Sequence, residues 1–235
     1  GIGEKQDAKF LSHYHLHGDD TLDKSLAAHG FSKDDITDVF LTHLHFDHCG
    51  GSIKREGDTL VPAFKNAHFW SNKNHWNWAT HPNDREKASF LKENILPIEE
   101  SGQLKFVEVV KNESSLVNGH LALHHAPFPI TDNISLMTVN GHTDAMMLPV
   151  INYKGKTIVY MADLLPSVAH IPLPYVMAYD MFPLTTLHEK KTFLTDALNK
   201  DCILYFEHDP INECCTLQQT EKGIRQKDVF KLSDL

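Results

Sequence analysis

The chain has 235 residues, 41% of them hydrophobic and 23% charged, which is an ordinary globular composition. Its net charge is −9 with no block of Lys or Arg, so nucleic acid is excluded as an expected partner, because its recognition usually needs a basic face. No apolar stretch approaches the roughly 20 residues that span a bilayer, so no membrane partner is expected. The 17 histidines are the unusual part of the composition.

The predicted elements alternate between strands and helices, which favours sheets covered by helices. No repeat or linker divides the chain, so we predict one domain over residues 1–235. In the first half of the chain, the patterns predict a helix at 20–30 capped by Asp19 or Asp20, strands at 36–43 and 67–70, and an amphipathic helix at 83–96 closed by Pro97. Strands are predicted next at 103–110, 120–126 and 134–139, followed by a hairpin at 148–163 with Lys154-Gly155 at its turn. The last predicted elements are a helix at 184–200 and a strand at 202–208.

The stretch THLHFDHCGG follows the first buried strand and is dense in metal ligands. On an extended segment, His43 and His45 point to the same side and can reach one ion. The turn that follows would let Asp47 and His48 bind a second ion next to the first. Imidazole nitrogen and carboxylate oxygen are ligands that zinc prefers, so this pattern predicts a site for two metal ions.

Further ligand candidates each follow an apolar strand later in the chain. His142 comes after ISLMTVNG, Asp163 after TIVYMA, and His208 after CILYFE. A carboxylate such as Asp163 can bridge two ions, as can a hydroxide between them.

These motifs resemble the metallo-β-lactamase-fold hydrolase superfamily. THLHFDHCGG, NGHTDAM and MADLL carry the resemblance, with Asp163 placed 21 residues after His142 and His208 placed 45 further on. The resemblance implies an α+β fold, a four-layer αββα sandwich with a dinuclear site at one edge between the sheets.

The resemblance also implies a role for each ligand. His43, His45 and His142 would hold the first ion, and Asp47, His48 and His208 the second, with Asp163 between them. A metal-bridging hydroxide would be the nucleophile, and Asp47 would also shuttle a proton to the leaving group. Zinc is the first choice of metal, although such sites also accept manganese, iron or cobalt.

The implied function is hydrolysis of an ester-like bond in a small molecule: a lactone, a carboxyl ester or a phosphotriester. The 94 positions that separate His48 from His142 resemble the lactonase and organophosphate-hydrolase branch. One alternative is an acyl-homoserine-lactone lactonase, although Pro166 stands where those enzymes carry a substrate-facing Tyr. An alternative of another class is a metal-binding or sensing protein without turnover.

Members of this superfamily begin with strands ahead of the position where GIG stands. We therefore expect the N-terminal strands to be missing from residues 1–235, leaving an exposed sheet edge. A homo-oligomer or a separate N-terminal segment would complete the sheet. Localisation stays open: unpaired cysteines favour the cytoplasm, and a removed leader would mean export.

The second histidine cluster, SHYHLHGDD, contains His13, His15 and His17 without a carboxylate among them or matching ligands elsewhere. We interpret it as a solvated or rim segment rather than a metal site. His75 and His170 have no other candidate metal ligands near them in the sequence, although His170 follows the loop that carries Asp163. Tyr175 or Tyr179 could offer a phenol to a developing oxyanion.

Overall fold

The structure of the protein is a computed structural model that describes residues 1–109, 116–117, 120–121, 123 and 125–235. The chain divides into two compact units, Gly1–Phe106 and Val107–Leu235. Each unit has its own buried apolar cluster, one around Phe69 and one around Met161. The prediction of one domain over residues 1–235 stays a prediction.

The first unit is built around a small parallel sheet. Its elements in chain order are α1 (Ala8–Ser12), α2 (Leu22–Ala28), β1 (Asp38–Phe40), α3 (Phe46–Cys49), β2 (Ile53–Glu56), β3 (Thr59–Pro62), β4 (His68–Ser71), α4 (Lys73–Thr80), α5 (Lys92–Glu100) and β5 (Leu104–Phe106). Strands β1, β4 and β5 pair in that order and all run parallel, while β2 and β3 form a separate hairpin. Parallel neighbours need crossover connections, and here the connection from β1 to β4 carries the HxHxDH motif.

The second unit contains a larger, mostly antiparallel sheet. Its elements are β6 (Leu116–Val117), β7 (His120–Leu121), β8 (His125–Pro127), β9 (Ile134–Val139), β10 (Met146–Tyr153), β11 (Lys156–Tyr160), α6 (Pro183–Asn199), β12 (Ile203–Tyr205), β13 (Cys214–Thr220) and β14 (Gly223–Phe230). The seven-stranded sheet has the order β14-β13-β12-β11-β10-β9-β8. Its parallel pair, β11 and β12, is joined through α6.

The predicted hairpin and the predicted helix of this second unit are confirmed. Lys154 and Gly155 both have positive φ, 49° and 75°, which is the conformation of a tight two-residue hairpin turn. Its flanking residues Tyr153 and Lys156 pair directly. The helix predicted at 184–200 is α6, and the predicted strand at 120–126 includes residues 122 and 124, which lie outside the described residues.

The structure corrects several details in the first unit. Thr21, rather than Asp19 or Asp20, caps α2 by accepting from the backbone N–H of Lys24. The predicted helix at 83–96 is wrong, because residues 84–89 form turns and α5 begins only at Lys92. Pro97 lies inside α5 rather than ending it. Across the described ranges, no helix is long and apolar enough to cross a bilayer.

Candidate metal centre

The HxHxDH motif lies where the chain leaves the parallel sheet. The backbone N–H of Leu41 still donates to the carbonyl of Trp70, at 3.0 Å, as a continuation of the β1–β4 pairing. His45 is then the N-cap of α3, which carries Asp47 in its first turn and His48 in its last. The turn predicted after His45 is therefore one helical turn. That turn brings the second half of the motif back beside the first half.

The four donors of the motif lie close together. The ring centroid of His43 is 4.6 Å from that of His45 and 3.9 Å from that of His48. An oxygen of Asp47 lies 3.4 Å from Nε2 of His48. His43 and His45 are buried, whereas the side chain of Asp47 is 36% exposed. The first unit thus gathers three imidazoles and one carboxylate in a small volume.

A buried carboxylate that sequence reasoning missed supports His45. Oε1 of Glu86 lies 2.9 Å from Nε2 of His45, and Glu86 is only 4% exposed. The indole N–H of Trp78 donates to the other oxygen of Glu86, at 2.6 Å. With Nε2–H donating to Glu86, the Nδ1 atom of His45 carries the lone pair that can bind a metal ion.

His75, to which the sequence assigned no role, also supports the motif. The backbone N–H of Leu44, which lies between His43 and His45, donates to Nε2 of His75 at 2.8 Å. His75 is 1% exposed and lies in the first turn of α4, which Asn72 caps. An Nε2 that accepts a hydrogen bond belongs to a neutral ring, so His75 positions the backbone of the motif as an acceptor.

Gly50 is explained by the close approach of the N-terminal backbone. A Cβ on Gly50 would lie 2.0 Å from the carbonyl oxygen of Ile2, so any side chain there would push the two backbone segments apart. The N–H of Gly51 donates to the carbonyl of Gly1, at 2.8 Å, and Nζ of Lys5 donates to the carbonyl of Gly50, at 2.6 Å. The residues after the motif are therefore held by the start of the chain.

The second unit gathers the other three candidates around Asp163. One carboxylate oxygen of Asp163 lies 3.1 Å from Nε2 of His142, and the other oxygen lies 3.1 Å from Nε2 of His208. Asp163 and His142 are buried, whereas His208 is exposed. Each oxygen of this carboxylate therefore faces a different histidine.

A second buried carboxylate, Asp180, lies behind His142. Its Oδ1 is 3.0 Å from Nδ1 of His142, so that ring is held between two carboxylates. Burial by itself would lower the pKa of His142, but its hydrogen bonds to Asp163 and Asp180 raise the pKa to about 9. Asp180 therefore orients the ring of His142 by a hydrogen bond, just as Glu86 orients the ring of His45.

The turn that carries His142 is fixed by helix α6. The buried carboxylate of Glu189 accepts from the backbone N–H groups of Asn140 and Gly141, at 2.6 and 3.0 Å. A Cβ on Gly141 would lie 2.3 Å from the backbone nitrogen of Thr186, which explains why glycine precedes His142. The helix therefore determines how closely this turn can approach it.

The two tyrosine candidates and the second histidine cluster are exposed. The ring of Tyr179 is 6.3 Å from that of His142, and both Tyr175 and Tyr179 are more than half exposed. The second histidine cluster, which consists of His13, His15 and His17, is exposed. No potential metal-binding group found among the described residues includes those three.

The donor set fits divalent metal ions. Both units offer imidazole nitrogens and carboxylate oxygens, which suit zinc and also manganese, iron or cobalt. Outer carboxylates that fix the orientation of a histidine, here Glu86 and Asp180, typically accompany metal-binding imidazoles.

A comparison with known protein families matches residues 1–208 to the metallo-beta-lactamase superfamily. The match covers far more than half of the chain, and the chain belongs to this superfamily. The resemblance inferred from the motifs and the metallo-β-lactamase fold are thereby confirmed.

Solved structures of the same fold include several hydrolases. A probable metal-dependent hydrolase from Staphylococcus aureus is similar over 100% of this chain and 76% of its own, at 24% identity and a TM-score of 0.81. AidC, a dizinc quorum-quenching lactonase in complex with a product, is similar over 88% of this chain and 68% of its own, at 21% identity and a TM-score of 0.68. The hydrolase AbOPH of the beta lactamase superfamily is similar over 89% and 69%, at 17% identity and a TM-score of 0.68. A comparison with curated protein sequences finds no significant match.

Proposed function

We propose that the protein is a metal-dependent hydrolase that cleaves an ester-like bond in a small molecule with two divalent metal ions. The observation that carries the proposal is Asp163, whose two oxygens face two different histidines, His142 and His208. A carboxylate placed in this way suits a position between two ions. Two such ions would supply Lewis-acid chemistry when bound, which activates water for attack on an ester-like bond.

The proposed ligands come from both units of the chain. One ion would be held by His43, His45 and His142, the other by Asp47, His48 and His208, with Asp163 shared. Because each unit supplies only part of either ligand set, we further propose that residues 1–235 work as one domain. Zinc is the metal we would test first, since these ligands are typical of zinc sites.

Some residues of the chain would orient the metal ligands, and one would transfer a proton. Glu86 and Asp180 hold the rings of His45 and His142 by hydrogen bonds and so present one fixed nitrogen of each ring to an ion. The partly exposed carboxylate of Asp47 can take a proton from the reacting groups and pass it to solvent or to the leaving group.

An acyl-homoserine-lactone lactonase is the specific alternative for the same site. It is favoured by the structural similarity to AidC, a quorum-quenching lactonase, and to further N-acyl homoserine lactone hydrolases. The similarity to the hydrolase AbOPH keeps other ester-like substrates open. Parallel assays of an acyl-homoserine lactone, an aryl carboxyl ester and an aryl phosphotriester would separate these substrate classes.

The test begins with the metal content of protein purified without a His tag, followed by those assays. We expect two equivalents of metal per chain and turnover of at least one substrate. The variant His45→Ala should lose metal and activity, whereas His13→Ala, which changes an exposed histidine, should keep both. Two bound ions without turnover of any ester-like substrate would instead favour a metal-binding or sensing protein.

A further inference from the structure

The turn that follows the Asp163 loop is held at both of its ends. The backbone N–H of Val168 donates to Oδ2 of Asp209, at 3.0 Å, and Asp209 directly follows the proposed ligand His208. At the other end, the buried ammonium of Lys190 donates to the carbonyl of Pro172, at 2.9 Å. The short helical turn Val168–His170 between these anchors is therefore fixed, and its first residue is held by the neighbour of the proposed ligand His208.

His170 in this turn is oriented by a serine. The hydroxyl of Ser167 lies 2.9 Å from Nδ1 of His170. Ser167 is the N-cap of the turn, yet its hydroxyl makes no capping hydrogen bond to the backbone. The hydroxyl is thus used for the imidazole instead of the helix end, and it restricts how the ring can rotate.

The other ring nitrogen of His170 is available to a ligand. Within the part of the chain that the structure describes, Nε2 of His170 makes no hydrogen bond, and the residue is half-buried. If the Ser167 hydroxyl donates to Nδ1, the proton of the neutral ring lies on Nε2. His170 then presents a hydrogen-bond donor.

The surroundings of His170 keep its ring neutral. Burial and the ammonium of Lys190 lower the pKa of His170, while the carboxylates of Asp180 and Asp163 act in the opposite direction. The ring is therefore neutral at pH 7, the form in which one ring nitrogen donates and the other accepts. Of these two carboxylates, Asp163 is the proposed shared ligand, and Asp180 holds His142.

We propose that His170, held by Ser167, is a further catalytic residue whose Nε2–H donates a hydrogen bond to an oxygen of the ester-like substrate. The donor strengthens its hydrogen bond as negative charge develops on that oxygen in the transition state. His170 keeps its proton throughout, so it takes part as a hydrogen-bond donor and not as an acid or a base. This inference rests on the proposed function, since it requires a substrate bound beside Asp163.

The kinetic test compares His170→Phe, which keeps a ring without a donor, with His170→Gln, which restores a side-chain N–H. For the metal-loaded enzyme acting on an aryl ester and a lactone, we expect His170→Phe to lower kcat/KM by about 100-fold, chiefly through kcat. His170→Gln should stay within about 10-fold of the wild type, since it can donate a similar hydrogen bond. His188→Gln, at an exposed histidine of α6, is the control and should change neither kcat nor metal content.

A second measurement does not depend on turnover. Long-range 1H–15N NMR of the zinc-loaded protein should show His170 with its proton on Nε2, and Ser167→Ala should produce a mixture of the two tautomers. A proton on Nδ1 in the wild type, or equal kcat/KM for His170→Phe and an active wild type, would overturn the inference alone. A wild type with two bound ions and no turnover would overturn the proposed function and this inference together.

Discussion

At the residue scale, the two carboxylates behind the proposed ligands are the most informative side chains. Glu86 contacts His45 at 2.9 Å and Asp180 contacts His142 at 3.0 Å, and both carboxylates are nearly inaccessible to solvent. A buried carboxylate on the remote nitrogen of an imidazole selects one tautomer and makes the ring a stronger ligand. The pair would therefore contribute to metal affinity without contacting an ion.

Removing the charge of Glu86 should weaken metal binding. Glu86→Gln keeps the shape of the side chain but loses the charged acceptor for His45, so we expect metal affinity to fall by about 10–100-fold. Competition titration against a chelator measures the change. Asp84→Asn is the matched control in the same turn, because the side chain of Asp84 is 98% exposed. Equal affinities for Glu86→Gln and the control would contradict this role.

The buried carboxylate of Glu189 should make stability depend on pH. Burial raises the pKa of Glu189 from the ordinary value of 4.5 to about 7, although two backbone hydrogen bonds act against this shift. The folded protein then binds more protons than the unfolded chain between these two pH values. Its contribution to the free energy of unfolding is therefore fully present below pH 4.5 and is lost as the pH rises through 7.

The variant Glu189→Gln isolates this contribution. We expect it to be less stable than the wild type, because an amide cannot accept from both N–H groups of Asn140 and Gly141. The difference should shrink by about 1.4 kcal/mol for each pH unit between pH 5 and 7, as the wild type loses stability. Denaturant unfolding of chelator-treated protein measures it. Parallel pH profiles for the two proteins would show that Glu189 does not titrate in this window.

At the element scale, the sheet of the second unit explains why its three ligands meet. His142, Asp163 and His208 follow β9, β11 and β12. Strand β10 runs antiparallel to both β9 and β11, so β9 and β11 share a direction, and β12 runs parallel to β11. The carboxyl ends of these three strands therefore lie at one edge of the sheet.

Helix α6 acts on this edge through a second buried charge, Lys190. Its ammonium donates to the carbonyls of Pro172, Leu173 and Tyr175, at 2.9, 3.2 and 2.6 Å. An ammonium has three N–H donors, so all of them are used within one loop. Lys190 thereby holds the segment that leads to Tyr179 and Asp180.

Replacing Lys190 by Met should loosen that loop. The three carbonyls would lose their donor, and each buried acceptor left without a partner costs about 1–3 kcal/mol. We expect faster amide hydrogen exchange over residues 171–180 in Lys190→Met, measured by mass spectrometry. Lys191→Met changes the exposed neighbour and should exchange like the wild type. Unchanged exchange in both variants would mean that the loop is held by other contacts.

At the scale of the whole molecule, each of the two units has its own core. A ligand that binds only the folded protein stabilises it by mass action, by about 4 kcal/mol at 1,000 times its dissociation constant. Metal binding should therefore stabilise the folded chain.

Metal removal should lower the melting temperature of the protein. For a chain of this size, a loss of about 4 kcal/mol corresponds to roughly 10 °C. Calorimetry with and without a chelator measures the change, and adding back two equivalents of zinc should reverse it. His45→Ala should respond much less to the chelator. A wild-type melting temperature that does not respond to metal removal would argue against the proposed bound ions.

Much of the candidate site could be predicted from the sequence because its ligands stand in local patterns. His43, His45, Asp47 and His48 fall within six positions after an apolar strand, and the other three candidates each end a strand of their own. Similar local rules predicted the hairpin turn at Lys154-Gly155 and helix α6. The helix predicted at 83–96 failed because an amphipathic pattern cannot show that Glu86 is turned inward to His45.

The sequence by itself determined the superfamily and the order of most elements, and it predicted the candidate metal ligands, because these depend on neighbours along the chain. Only the tertiary structure decided the roles of Glu86, His75, Asp180 and Glu189. Glu86 is 41 positions from His45 and is one of 31 acidic residues, so nothing local distinguishes it. Its role arises from burial and from a 2.9 Å hydrogen bond, and both exist only once distant segments have packed against each other.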